Sequence, residues 1–115
     1  MTANAHALSV DVALEALADP VRRRAIELLA TRPHRAGELA RLLGVTAPTM
    51  SKHLRILRQG ALVTDTHPDF DTRARVYALH TNAFGSLRRW LDRTEQGWTE
   101  QLDAFADHVR RSHES

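Results

Sequence analysis

Hydroxyl and cationic side chains are concentrated between positions 46 and 55 of the 115-residue chain. Hydroxyl groups donate and accept hydrogen bonds, and cationic groups attract phosphate oxygens, so this combination suits contact with polar edges and with a polyanion. The residues that we assign to such contacts are Thr46, Ala47, Thr49, Ser51, Lys52, His53 and Arg55.

The same stretch predicts a helix over 46–59. The Thr46 hydroxyl can cap the first amides, and Pro48 is tolerated in the first turn because amides there have no intrahelical acceptor. We expect Gly60 to take the left-handed conformation that often ends a helix. Apolar side chains recur at helical spacing, so one face packs and the polar face is left accessible: the apolar residues are Met50, Leu54 and Leu57.

A second short helix is predicted over 36–43, and only Gly44 and Val45 separate it from the helix over 46–59. Two short helices joined by a tight turn are typical of a helix-turn-helix motif. In such a motif the first helix crosses the nucleic-acid backbone, and the second places its N-terminal residues on base edges in the major groove. The alternative is an ordinary helical hairpin with a hydrated polar face.

The charge distribution favours the nucleic-acid interpretation. The formal net charge is only +2, yet residues 31–62 hold six basic side chains against one acid, an excess of five. Each of the segments 1–30, 63–80 and 81–115 carries one more acid than bases. Positive charge concentrated on one motif is typical of a surface that contacts phosphates.

Several classes of protein are disfavoured by composition. Because the chain has no cysteine, it forms neither disulfides nor thiolate metal sites. It contains no apolar run of membrane-spanning length and no pattern typical of a signal peptide, so we expect a cytoplasmic protein that does not enter a membrane. No nucleophile, base and orienting group share a recognisable spacing, and no glycine-rich phosphate loop is present, so we predict no enzymatic activity. The length predicts one domain, 1–115.

Two helices are predicted before the helix-turn-helix, over 9–18 and 20–30. Asp19 followed by Pro20 is a strong helix start signal. Three arginines at 22–24 then oppose the helix dipole, which an external phosphate would relieve, although water and Glu27 would serve as well. On this basis we assign Arg22 to phosphate contact.

Residues 61–80 predict a β-hairpin, with strands over 61–66 and 73–80 and a turn between them. A hairpin after a helix-turn-helix makes a winged helix, so the predicted fold is mainly α with a two-stranded β-wing. Arg73 and Arg75 share one face of their strand and are assigned to a wing contact with DNA. Three acids in the hairpin make it a poorer phosphate binder: they are Asp65, Asp69 and Asp71.

The last predicted helix, over 81–111, is long and amphipathic. Its length of about 45 Å exceeds what the wing and four short helices can cover. We therefore expect a homodimer that associates through the N- and C-terminal helices. The residues assigned to the dimer interface are Leu14, Leu91, Trp98, Leu102, Phe105 and Val109.

The chain resembles the ArsR/SmtB family of dimeric winged-helix repressors over nearly its whole length. The matching segments are Ala16–Leu29, Ser51–Leu57 (Ser-Lys-His-Leu-Arg-Ile-Leu) and Gly60–Val63 (Gly-Ala-Leu-Val). The resemblance implies a homodimer that binds a pseudo-palindromic DNA operator and represses its own or a neighbouring operon. It also implies that the helix beginning near Thr46 reads the DNA.

Two metal sites known in that family lack their ligands here. Glu38 and Leu39 are followed by Ala-Arg-Leu, where the sensors carry Cys-x-Cys, and the last helix offers no matching spacing. The chain is more similar to the metal-independent autorepressor branch, so we favour no cofactor. Two alternatives stay open: a protein-interaction module without DNA binding, and a repressor that responds to nickel, cobalt or zinc through His6, His108 and His113.

Overall fold

The computed structural model describes residues 10–66 and 75–114. The described chain is mainly helical with a small antiparallel sheet, which confirms the predicted winged helix-turn-helix fold. In chain order the elements are α1 (residues 10–16), α2 (Pro20–Thr31), β1 (His34–Arg35), α3 (Ala36–Leu43), α4 (Ala47–Gln59), β2 (Val63–Thr66), β3 (Val76–Leu79) and α5 (Gly85–Glu114).

The core lies where α1 to α4 meet the sheet. The face of α4 predicted to pack is fully buried, with Met50, Leu54 and Leu57 at most 1% exposed. Leu39 of α3 and Leu62, which precedes β2, are buried against the same cluster. Each such side chain contributes about 2 kcal/mol of transfer free energy, so this cluster fixes α4 to the body of the protein.

The wing contains a third strand that the sequence did not indicate. The strand order is β1, β3, β2, and both pairings are antiparallel. In the hairpin Val63 pairs with Leu79, while at the other edge His34 of β1 pairs with Tyr77 of β3. The sequence predicts no regular element between the helices over 20–30 and 36–43, so β1 adds a strand where none was expected. A strand of two residues is too short to show a periodic pattern.

The prediction that Gly60 adopts the left-handed conformation is also wrong. Gly60 has φ −80°, whereas the following Ala61 has φ 59°. A Cβ atom on Gly60 would lie 3.4 Å from the Ala16 Cβ and 3.5 Å from the Val12 carbonyl oxygen. Gly60 therefore lies where α1 packs against the end of α4, at distances that are ordinary van der Waals contacts for a Cβ atom. The left-handed glycine is Gly44, at φ 67°, which ends α3.

Helix α5 begins at Gly85, four residues later than the sequence predicted, because residues 81–84 form a turn. Ala83 is buried and Phe84 packs against the core. Every residue from Arg88 to His113 is exposed in the single chain. Most of α5 therefore extends beyond the body that the other elements form.

Candidate nucleic-acid interface

The start of α4 is held by a side-chain cap. The Thr49 amide donates to the Thr46 Oγ1 at 3.3 Å, and the Thr46 hydroxyl donates to the Thr49 hydroxyl at 2.9 Å. Thr46, with φ −73° and ψ 158°, lies in the extended conformation typical of an N-cap residue. The helix cap that the sequence predicts at Thr46 is therefore present in the structure.

The outer face of α4 is polar and accessible. The exposed residues on it are Ala47, Pro48, Thr49, Ser51, Lys52 and Arg55. The side chains of Lys52 and Arg55 make no hydrogen bond or ion pair with any other residue that the structure describes. Because the opposite side of the helix is buried, these two cations project from a rigid support. This arrangement can present hydroxyl donors and positive charge to a nucleic-acid groove.

The turn before α4 fixes its direction. The Val45 amide donates to the Ala40 carbonyl at 3.0 Å, and the Gly44 amide donates to the Arg41 carbonyl at 3.3 Å. Val45 is half-buried and packs against the core. The two helices of the motif are therefore joined by hydrogen-bonded backbone.

Arg22 and His53 lie together on the side of this surface. The Arg22 Nη1 donates to the His53 Nδ1 at 3.3 Å, since arginine has only donors. The same guanidinium donates from Nε to the Ala16 carbonyl at 2.7 Å and from Nη2 to the Glu15 carbonyl at 3.2 Å. Both side chains are half-buried. Their assignment to DNA contacts stays a prediction, but the structure shows that Arg22 already has three internal partners.

The cations at the start of α2 find compensation inside the protein. Arg22 and Arg23 reach the carbonyl oxygens at the end of α1, with the Arg23 Nη1 donating to the Leu17 carbonyl at 2.7 Å. The C-terminal carbonyls of a helix lack intrahelical donors and carry partial negative charge. No external anion is needed to explain these two arginines. The sequence missed this role because it does not reveal where α1 ends relative to α2.

Asp19 caps α2 as its position before Pro20 predicts. Its carboxylate accepts from the Val21 amide at 2.8 Å and from the Arg22 amide at 3.3 Å. Burial acts to raise the pKa of Asp19, but the two amide hydrogen bonds and the nearby charge of Arg22 outweigh it, so the pKa lies below its ordinary value.

Within the wing, an acid is shared between two arginines. The Asp65 Oδ2 lies 3.2 Å from the Arg58 Nη1 and 3.1 Å from the Arg75 Nε. A hydrogen bond with Tyr77 is the main cause that raises the pKa of Arg75; burial opposes it, and the Asp65 charge adds to the rise. The wing contact assigned to Arg75 therefore involves a cation already held by the sheet. Arg73, its predicted companion, lies outside the described residues.

His34 is a structural residue that the sequence did not single out. It is buried, its Nδ1 donates to the Arg32 carbonyl at 2.8 Å, and its Nε2 lies 3.2 Å from a Glu38 oxygen. That oxygen also accepts from Arg32 at 2.6 Å. These contacts hold residues 32–34, which precede the helix-turn-helix, against α3. The spacing of four residues between His34 and Glu38 is the only sequence signal for them.

All six residues assigned to a dimer interface are exposed in the single chain. Trp98 is 60% and Phe105 65% exposed, and Leu14 of α1 is exposed as well. The five assigned to α5 follow one another at spacings of three, four and seven residues, so they lie along one side of the helix: they are Leu91, Trp98, Leu102, Phe105 and Val109.

The histidines considered as metal ligands do not form a cluster in the described part of the chain. His108 and His113 are on α5, five residues apart, so their side chains leave the helix about 140° apart. His6 lies outside the described residues. Within residues 10–66 and 75–114, no three His, Asp or Glu side chains are placed to hold one metal ion.

Known proteins share this arrangement of a polar, cationic helix supported by a winged core. The family model described as "Bacterial regulatory protein, arsR family" matches residues 19–65. The chain is 44% identical over 101 residues to the HTH-type transcriptional regulator Rv2034 of Mycobacterium tuberculosis, covering 88% of this chain and 89% of that protein. The chain belongs to the arsR family. As an arsR-family protein it is a DNA-binding transcriptional regulator and not an enzyme.

Two further transcriptional regulators are similar to this arsR-family protein. It is 29% identical over 77 residues to the transcriptional repressor SdpR of Bacillus subtilis, covering 67% of this chain and 82% of that one. An ArsR-like transcriptional regulator from Rhodococcus sp. RHA1 has the same fold, with a TM-score of 0.79 at 24% identity over 96% of this chain and 97% of the other. Among the helices described here, none has both the length and the apolar character needed to cross a membrane.

Proposed function

We propose that this regulator represses transcription as a homodimer that binds a pseudo-palindromic operator. Helix α4 reads the DNA of each half-site. The observation that carries the proposal is the exposed, hydroxyl-rich and cationic face of α4, which is backed by a fully buried apolar face. The similarity to SdpR, which is a transcriptional repressor, supports repression as the outcome of binding. A regulator that binds a bacterial operator works in the cytoplasm.

We assign the contacts by the position of each residue on α4. Thr46, Ala47, Thr49 and Ser51 lie at the N-terminal end, which enters the major groove in a helix-turn-helix. Lys52 and Arg55 are close enough to the same end to reach phosphates beside the groove. The Arg73 and Arg75 contacts of the wing are part of the proposal, with Arg75 shared between DNA and Asp65.

A second copy of the chain is proposed to cover the apolar strip of α5. A continuous line of exposed apolar side chains along one helix, with Trp98 60% and Phe105 65% exposed, is unusual for a soluble monomer. Two-fold pairing along α5 and around Leu14 would bury the strip and set two recognition helices about 34 Å apart, one turn of DNA. We assign no metal ion to this assembly, because His108 and His113 leave α5 in directions about 140° apart.

The proposal is tested by replacing both exposed cations of α4. Lys52→Ala with Arg55→Ala is expected to abolish binding to a duplex that the wild-type protein selects from a random-sequence pool. Each lost phosphate contact lowers the slope of log affinity against log salt by about 0.9, and both substitutions occur twice in the dimer, so any binding that the double variant retains at low salt should have a slope lower by about 3.6. Fluorescence anisotropy over a salt series measures both quantities.

The matched control removes two exposed arginines from α5. Arg93→Ala with Arg111→Ala lowers the net charge by the same amount but leaves α4 untouched, and it is expected to bind as the wild type does. If the α4 variant kept wild-type affinity, α4 would not be the recognition helix. If the wild-type protein selected no duplex at all, the protein-interaction alternative would replace the proposal.

A further inference from the structure

We infer that Arg22 is a positioning residue for the recognition helix. Through His53 it fixes the orientation of α4 relative to α1, and it does not itself neutralise a phosphate. The inference rests on the proposed function, because it concerns how the two recognition helices of a dimer are held for an operator. It replaces the phosphate contact that the sequence suggested for Arg22 with a contact inside the protein.

The hydrogen bonds of Arg22 join three helices. The residue belongs to α2, its Nε and Nη2 donate to the Ala16 and Glu15 carbonyls at the end of α1, and its Nη1 donates to His53 of α4. A guanidinium is planar and holds its donors in a fixed fork. Its plane therefore sets the direction from the end of α1 to the His53 ring.

His53 lies between the packed and the exposed faces of α4. It is half-buried, whereas the neighbouring Lys52 is exposed and Leu54 is buried. Since Arg22 can only donate, the His53 Nδ1 accepts, and the proton of the neutral ring is on Nε2. His53 is thus oriented from behind by Arg22. A contact between Nε2 and DNA, if formed, would depend on that support.

The link matters because α1 also carries Leu14, which belongs to the proposed dimer interface. An operator with two half-sites is bound tightly only when both recognition helices dock at once. Small rotations of α4 relative to α1 change the distance between the two recognition helices of the dimer. Binding to DNA without a matched sequence depends mainly on phosphates and is less sensitive to that spacing.

Arg23 provides a matched control for Arg22. It follows Arg22 in α2, carries the same charge, and donates to the next carbonyl of the same turn, that of Leu17, at 2.7 Å. The structure places no bond between Arg23 and α4. Arg23→Gln therefore removes one arginine and one bond to the end of α1, while the link to His53 is kept.

The test is a double-mutant cycle with Arg22→Gln and His53→Leu. Affinity is measured by anisotropy for two duplexes of equal length: one selected by the wild-type protein from a random-sequence pool, and one of scrambled sequence. We expect each single variant to bind the selected duplex about tenfold more weakly and the double variant no more weakly than either one. Affinity for the scrambled duplex and its salt slope should stay within about twofold of the wild type.

A conservative variant and the Arg23 control complete the design. His53→Asn keeps an acceptor near the position of Nδ1, so it should recover most of the affinity that His53→Leu loses. Arg23→Gln should bind both duplexes as the wild type does. If Arg22→Gln is too unstable to measure, the comparison of His53→Leu with His53→Asn decides the matter, because neither variant touches the carbonyls of α1.

Three results would overturn the inference. These are additive losses in the double variant, an equal loss on the scrambled duplex with a lower salt slope, and a loss in Arg23→Gln as large as that in Arg22→Gln. Additive losses would show that Arg22 and His53 act independently, and an equal loss on the scrambled duplex with a lower salt slope would make Arg22 a phosphate contact. Failure of the proposed function is recognised separately, because Lys52→Ala with Arg55→Ala would then leave binding to the selected duplex unchanged.

Discussion

Arg22, Arg23 and Arg24 follow one another at the start of α2, but the fold gives each a different environment. Arg22 reaches both α1 and α4, Arg23 reaches α1 alone, and Arg24 is exposed beside Glu27. Arg24 lies at the rim of an open groove of about 400 Å³ whose floor is formed by leucines of α2 and α3. The sequence presents three similar cations, because the carbonyls that distinguish them are brought close only by the fold.

The carboxylate that caps α2 should make the stability of the protein depend on pH. The pKa of Asp19 is lower in the folded protein than its ordinary value of 3.8. The ionised cap therefore stabilises the fold above about pH 4, and this contribution is lost as the pH falls through the lowered pKa. We expect Asp19→Ala to lower the free energy of unfolding by about 1 kcal/mol at pH 7.

Urea unfolding at one fixed protein concentration, stepped from pH 7 toward pH 3, checks this expectation. The difference between wild type and Asp19→Ala should shrink toward the acid end. Asp19→Asn retains a neutral acceptor at the cap, so its stability relative to Asp19→Ala should not vary with pH. A deficit of Asp19→Ala that is constant from pH 7 to pH 3 would show that the carboxylate charge contributes nothing.

Elements were predictable where a periodic pattern was long enough to show. The packed face of α4 and the hairpin follow from apolar spacing and from turn residues, and both are present. The short strand β1 was missed because two residues show no period. The left-handed residue after α4 was placed one position too early, because glycine is only the commonest residue in that conformation and Ala61 adopts it here. Contacts between elements distant in sequence, such as Arg58 with Asp65 and Arg75, carry no local signal.

The apolar strip of α5 can be tested by placing charges on it. Trp98→Glu with Leu102→Glu places four charges per dimer in the proposed seam, where burial without a partner is costly. We expect the variant to sediment as a monomer and to lose most of its affinity for the selected duplex. The loss follows because the two recognition helices are no longer held together.

A control on the opposite side of the same helix separates a seam from a general effect of charge. Gln96→Glu with Ala104→Glu adds the same two negative charges, but each position lies roughly 160° around the helix from one of Trp98 and Leu102 and roughly 120° from the other. It should remain a dimer in analytical ultracentrifugation and keep its affinity. A stable dimer in the Trp98 and Leu102 variant would place the seam elsewhere, for example around Leu14.

For the whole molecule, the distribution of charge and apolar surface defines two functional ends. Positive charge is concentrated between residues 31 and 62, around the helix-turn-helix, while the long exposed strip of α5 projects from the body. The sequence was sufficient to predict that a DNA-binding end and a dimerisation end exist. It did not reveal how α1 connects them, because the Arg22 link depends on the relative placement of three helices.

A hydroxyl-radical footprint of the wild-type protein on the duplex it selects tests most directly whether two α4 helices of a dimer bind the DNA. We predict two protected regions related by two-fold symmetry, with centres about ten base pairs apart, as expected when two α4 helices enter successive major grooves on one side of the DNA. The Lys52→Ala with Arg55→Ala protein should give no protection under the same conditions. A single asymmetric protected region, or uniform protection without sequence preference, would contradict a two-fold regulator that reads DNA through α4.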